Sequence, residues 1–161
     1  MCTPIVLDAS AFDVLKEMSS NSAGVQLRTW IDDGHGRVAY STYDEVGRQL
    51  QHDAKVFQLV LSYRRSGLAE LIEEAVIRRE ESRLDALETR SGERDKQVLA
   101  LAAASQAQVM VVRDKRLRKD FEDARLLPTV PGSRRWAYPV DQPPAWRNDF
   151  LHRRRCPRRL K

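Results

Sequence analysis

Four carboxylates in this chain stand where α/β proteins commonly do chemistry. Asp8 follows the β-branched run Ile5-Val6-Leu7, and Asp114 follows Val109-Met110-Val111-Val112 after one intervening residue, Arg113. Asp95 opens the Ala- and Leu-rich stretch feeding that second run, and Glu45 lies in the first turn of the helical pattern after residues 37–41. Short unbroken apolar runs read as buried parallel strands, and open parallel sheets bind ligands outside the carboxyl ends of their strands. Four acids on one rim repel one another and cannot all stay ionised without compensation. A hard divalent cation with oxygen ligands, Mg2+ or Mn2+, resolves that repulsion. Each acid also has a purely structural explanation. Asp95 would favour the positive end of its helix, Asp114 would be an N-cap, and Thr42-x-x-Glu45 makes a capping box. Asp8 is the hardest to explain this way, because Ser10 already serves as cap for the helix that follows.

The elements that must position these acids follow from periodicity. Ser10, with Asp13 three residues on, starts a helix carrying Phe12, Val14, Leu15 and Met18. A second helix has Val25, Leu27, Trp30 and Ile31 on its apolar side, and Gly34-His35-Gly36 turns the chain into a strand at 37–41 around Val38 and Tyr40. Residues 42–63 are helical in two pieces broken near Gln51-His52-Asp53. Between 67 and 87, Leu68, Leu71, Ile72, Ala75 and Val76 make the apolar stripe of a helix, with Glu74 and Arg78 as an i,i+4 pair. A short strand around 71–77 fits the same pattern. Ser91-Gly92 breaks the chain, and composition makes 95–106 a helix. A strand at 109–112 and a short charged helix at 115–123, with Leu117 and Phe121 facing in, complete the series. This alternation predicts a three-layer α/β/α sandwich with a mainly parallel central sheet.

Composition sets the boundaries of the reading. The 161 residues are 42% hydrophobic, enough for one core, and 32% charged, as a solvated surface requires. The longest apolar run, from Val98 to Ala104, is too short to span a bilayer, and Met1-Cys2-Thr3-Pro4 has no basic leader character. A cytoplasmic protein with no membrane partner is the expectation. Cys2 and Cys156, at opposite ends, exclude a disulfide scaffold and any C-x-x-C motif, and His35, His52 and His152 lack metal-ligand spacing. Neither G-x-x-x-x-G-K-[ST] nor G-x-G-x-x-G occurs.

The chain divides into a domain at 1–127 and a Pro/Arg-rich basic C-terminal extension at 128–161. Pro128, Pro131, Pro139, Pro143, Pro144 and Pro157 argue for an extended tail rather than a further layer, with edge pieces at Val130 and Ala137-Tyr138-Pro139-Val140. Residues 1–131 hold 19 basic and 21 acidic side chains, and residues 132–161 hold nine and two, so the net +5 comes from the tail. Such a tail is either solvated or a contact for a polyanion such as nucleic acid. Trp30 is expected in the core, while Trp136 and Trp146 either stack on bases or pin the tail.

Three segments resemble one family. Ile5-Val6-Leu7-Asp8-Ala9-Ser10 resembles the opening of PIN domains, whose first strand ends in an Asp followed two residues later by Ser or Thr. Asp95-Lys96-Gln97-Val98-Leu99-Ala100-Leu101-Ala102 resembles the family's third acid at the head of an Ala-rich helix. Val109-Met110-Val111-Val112-Arg113-Asp114-Lys115-Arg116-Leu117 resembles the strand leading to its fourth acid. The resemblance covers about residues 5–123, and the 19-residue step from Asp95 to Asp114 suits one helix and one strand. Other acid-dependent families fit less well, since a haloacid-dehalogenase-type phosphatase needs Asp-x-Asp where this chain has Ser10.

The resemblance implies a Mg2+- or Mn2+-dependent nuclease, most often a ribonuclease, leaving 5′-phosphate and 3′-hydroxyl ends. It assigns Asp8, Asp95 and Asp114 as metal ligands, Ser10 as a supporting hydrogen-bonding residue and Glu45 as the remaining catalytic acid. Related sequences often place that glutamate before a leucine, where this chain has Gln49-Leu50, and they commonly carry Ser or Thr at the position of Val112. Arg113, Lys115, Arg116, Arg118 and Lys119 would bring RNA to the acidic pocket, or else form a solvated helix face. Many small single-domain members are toxins held by an antitoxin, so an antitoxin protein and a homodimer join RNA as implied partners. The alternative from another class is a degenerate PIN-like module that binds RNA or a protein without cutting.

Overall fold

Residues alternate between two buried faces along each central strand. In β1 (Thr3–Leu7), Ile5 and Leu7 join one core and Val6 the other. In β2 (Gly36–Tyr40), Val38 and Tyr40 share the first face and Ala39 takes the second. Burial on both faces is why these strands appear in the sequence as short apolar runs with no polar alternation. The computed structural model describes residues 2–128 and 134–156. It adds β3 (Ala69–Leu71), β4 (Val109–Val111) and β5 (Trp136–Ala137), giving an all-parallel sheet in the order β3-β2-β1-β4-β5.

Helices α1 (Phe12–Leu15), α2 (Ala23–Asp32), α4 (Ala54–Arg65) and α8 (Pro144–His152) pack on the first face. Helices α5 (Glu74–Asp85), α6 (Lys96–Ser105) and α7 (Lys115–Glu122) cover the second. Helix α3 (Asp44–His52) follows β2, touches both α4 and α6, and puts Leu50 into the first core. The expected three-layer sandwich is the observed architecture. Its order reverses direction at β1, whose two neighbours are β2 and β4, and the carboxyl ends of β1 and β4 flank that switch point.

The stripe from Leu68 to Val76 is not one helix. Its first part forms the edge strand β3, of which only Ala69 is buried, and α5 begins at Glu74 and anchors through Ile77 and Leu84. An exposed edge strand needs few apolar residues, so its pattern merged with that of the next helix. The first helix is also shorter than expected. It ends at Leu15, and Met18 is 86% exposed.

Over its described residues, 134–156, the C-terminal segment is folded rather than an extended tail. Residues 136–137 form the sheet's outer strand, and α8 packs on α2, so Tyr138, Val140, Phe150 and Leu151 complete the first core. The prolines permit this, because Pro144 opens a helix where a missing N–H costs nothing. Trp30 is buried and donates its indole N–H to the Leu151 carbonyl at 2.9 Å. Val130, Pro131 and Pro157 fall outside the described residues.

Three arginines of this segment act inside the fold. Buried Arg135 donates to the carbonyls of Ala107, Leu127 and Pro128. Arg154 lies over the rings of Phe150 and Trp136. Buried Arg147 donates to Gln26 Oε1 at 2.7 Å and to the carbonyls of Asn21, Val140 and Gln142. Arg135 and Arg147 thus serve backbone carbonyls inside the fold rather than offering charge at the surface. Arg147→Ala is expected to cost about 2–3 kcal/mol, since hydrogen bonds from a charged group are worth more than neutral ones. Thermal unfolding would read this as a fall in Tm of roughly 5–10 °C.

Candidate active site

The site begins at the ends of β1 and β4. Asp8 is the first residue past β1, and its N–H donates to the Val111 carbonyl at 2.9 Å, extending the β1–β4 ladder. Its carboxylate caps the 3-10 turn Ala9–Ala11 by accepting the Ser10 N–H at 3.0 Å. The cap expected at Ser10 is therefore Asp8, and the Ser10 hydroxyl is free to reach across the switch point. There it accepts the N–H of Arg113 at 3.0 Å and of Asp114 at 3.4 Å. Ser10 joins the Asp8 and Asp114 loops directly, a supporting role through hydrogen bonds.

Asp114 caps α7, its Oδ1 accepting the N–H groups of Arg116 at 2.9 Å and Leu117 at 3.0 Å. The structural explanation for Asp114 thus holds for one of its two oxygens. Asp95 sits at the head of α6 with a helical backbone and makes no side-chain cap hydrogen bond, so capping does not account for it. Burial pushes the Asp8 carboxyl above the usual carboxylate range, hydrogen bonds from Ser10 pull it down, and the nearby Asp114 charge adds to the rise. Asp95 is pushed up by burial and then by the charges of Asp8 and Asp114. The three aspartates therefore feel one another.

Several other aspartates are compensated by a cation. Asp13 pairs with Arg113, Asp53 with Lys16, Asp85 with Lys96, and Asp120 and Asp123 with Arg90. Among the described residues Asp8, Asp95 and Asp114 form no ion pair. Asp8 is only 8% exposed, so its negative charge is costly to leave uncompensated.

The expected fourth carboxylate has a cationic partner of its own. Glu45 pairs with Arg48 at 3.3 Å and lines a groove with Asp44, Glu93 and Arg94. Gln49, one turn later, lines a small cavity of about 20 Å3 together with Asp8 and Ser41, its other walls largely apolar. The Thr42–Glu45 capping box does not form, because α3 begins at Asp44 with no side-chain cap. The mutual repulsion runs among Asp8, Asp95 and Asp114, while Glu45 is engaged by Arg48. Among the described residues, no three His, Cys, Asp or Glu side chains close around a single point at ligating distance. The donor set still suits Mg2+ or Mn2+, since Mg2+ characteristically keeps several waters and takes one or two carboxylates, with substrate phosphate oxygens completing the shell. Asp8, Asp95 and Asp114 are the residues that would hold it.

Two residues that the sequence reading passed over build the frame. Asp120 on α7 is fully buried and accepts from the Ser91 hydroxyl at 2.5 Å, the Ser91 N–H at 2.8 Å and the Arg90 N–H at 3.0 Å. It pins the turn that leads into Asp95. Its signal was its spacing, because Leu117, Asp120 and Phe121 fall on one inward helix face. Gln97, buried on α6, accepts the Val46 N–H at 3.1 Å and donates to Asp44 Oδ2 at 2.9 Å, tying α3 to α6 beside the rim.

The basic residues after Asp114 divide. Arg113 is held by Asp13 at 3.1 Å and Asp141 at 3.3 Å. Lys115, Arg116, Arg118 and Lys119 are exposed on α7, and among the described residues their side chains form no ion pair. Trp136 stacks with Arg134 and Arg154, and Trp146 is 58% exposed. No helix among the described residues is long and apolar enough to cross a membrane.

No family model, curated protein or solved structure matches this chain.

Proposed function

We propose that this protein is a metal-dependent ribonuclease of PIN type, hydrolysing RNA phosphodiester bonds at the rim formed by Asp8, Asp95 and Asp114. One observation supports the reading: Asp8, Asp95 and Asp114, around the carboxyl ends of β1 and β4, repel one another and form no ion pair among the described residues, while Asp13 and Asp120 near them are paired with arginines. A divalent cation there would supply the charge that polarises a phosphodiester and acidifies a water. The chain's own part is orientation. Ser10 sets the spacing of the Asp8 and Asp114 loops, Asp120 fixes the approach to Asp95, and Lys115, Arg116, Arg118 and Lys119 offer positive charge to the RNA backbone beside an acidic pocket. The same reading extends to an antitoxin protein and a second copy of this chain as partners.

A second reading, an RNA- or protein-binding module without catalysis, draws on Gln49, which occupies the position beside Asp8 where a further acid would complete the set. The two are separated by incubating mixed end-labelled RNA with the protein in Mn2+, in Mg2+ and in EDTA. The nuclease reading predicts cutting with either metal and none in EDTA. RNA retained in a gel shift but left intact under every condition would favour the binding module.

A further inference from the structure

The two cysteines, 154 residues apart in sequence, meet in the fold. Cys2 immediately precedes β1, Cys156 lies four residues past the end of α8, and their Sγ atoms are 2.6 Å apart. That is roughly half an ångström longer than a covalent S–S bond. The approach is held from both sides by hydrogen bonds that do not involve sulfur. The His35 carbonyl accepts the Thr3 N–H at 3.2 Å, and its ring Nδ1 accepts the Cys156 N–H at 3.1 Å, so one residue clamps both chain ends. Thr3 Oγ1 donates to the Arg154 carbonyl at 3.3 Å, adding a direct tie. Both cysteines are half-buried, leaving a small oxidant access.

We propose that Cys2 and Cys156 form an intramolecular disulfide that staples the end of the C-terminal segment to the first strand. With a low-molecular-weight disulfide such as oxidised glutathione, the thiolate of one cysteine attacks an oxidant sulfur. A mixed disulfide forms and one glutathione thiolate leaves. The second cysteine's thiolate then attacks the protein sulfur of that mixed disulfide, making the Cys2–Cys156 bond and expelling the second glutathione. Two electrons pass from the cysteine pair to the oxidant, and the two protons end on two reduced glutathiones. The bond closes nearly the whole described chain into a ring, the geometry in which a cross-link most restricts the unfolded state. It is made in oxidising surroundings and opened in reducing ones.

The full chain, equilibrated with oxidised glutathione and then treated with iodoacetamide, tests this by intact mass. The expected product is monomeric, about 2 Da lighter than the reduced chain, and carries no alkyl group and no glutathione. It migrates faster on a non-reducing gel, and its Tm lies roughly 5–15 °C above that of the reduced form, reversibly with dithiothreitol. Cys2→Ser and Cys156→Ser each lose the mass change and carry one glutathione instead, a readout independent of any effect on stability. Two alkyl groups, two glutathiones or disulfide-linked dimers on the native chain would overturn the proposal.

Discussion

Asp95→Asn is expected to abolish metal-dependent RNA cleavage while leaving the protein folded. The substitution is isosteric, and the Asp95 side chain makes no cap hydrogen bond whose loss could unravel α6. Its carboxyl is already pushed toward the neutral form by burial and by the charges of Asp8 and Asp114, so removing its charge relieves repulsion. On the proposed nuclease reading, the native charge serves to hold a cation. Loss of outer-shell partners of a metal typically costs 10–100-fold, so loss of a ligand carboxylate should cost at least roughly a hundredfold. The rate of cutting in Mn2+ and the Tm without metal, measured on the same preparation, check both halves. A variant that cuts RNA as fast as the native chain would remove Asp95 from the site.

Asp120→Ala is expected to have the largest effect on stability. Asp120 has no exposure to water and satisfies two backbone N–H groups, the Ser91 hydroxyl and part of the Arg90 guanidinium. Breaking a buried charged network by removing one partner costs about 3–5 kcal/mol, a fall in Tm of roughly 6–20 °C for a chain of this size. The pH dependence has a definite sign. Burial alone would raise the Asp120 carboxyl, but hydrogen bonds from Ser91 and Arg90 outweigh it and hold the group below its ordinary 3.8. A carboxyl lowered by folding stabilises fully above that ordinary value and loses its contribution as pH falls through the lower, folded one. The gap in stability between native protein and Asp120→Asn should thus be full at pH 7 and shrink under acid. Because Asp120 pins the turn before Asp95, a folded Asp120→Asn should also cut RNA more slowly. A gap that stayed constant into acid would show that Asp120 contributes packing and not charge.

Much of the site was legible because it follows strand ends. Ile5-Val6-Leu7 and Val109-Met110-Val111 are buried on both faces, which makes them visible as apolar runs, and Asp8 and Asp114 are found by reading past them. Edge elements carry no such mark. In β3 only Ala69 is buried, so Leu71 and Ile72 merged with the helical pattern of α5. The C-terminal segment misled for a chemical reason. Its prolines and arginines look like disorder, yet Arg135 and Arg147 are buried on carbonyls, and Pro144 starts a helix. Gln49, not Glu45, shares a cavity with Asp8, and the start of α3 is tied to Gln97 on another helix, a tertiary contact with no local mark. Pairings such as Ser91 with Asp120 or Cys2 with Cys156 are tertiary, with no local signature to read.

The proposed nuclease needs a cation at the rim of Asp8, Asp95 and Asp114. That need is tested most directly by thermal unfolding of the native chain and of Asp8→Asn at pH 7 with increasing Mn2+. A ligand at a hundred times its Kd stabilises by about 2.7 kcal/mol, so the native Tm should climb saturably by roughly 5–10 °C. Asp8→Asn, freed of a buried charge, should start higher and stay flat. Native protein that gives no response at millimolar Mn2+, or a variant that responds equally, would show that these aspartates hold no cation.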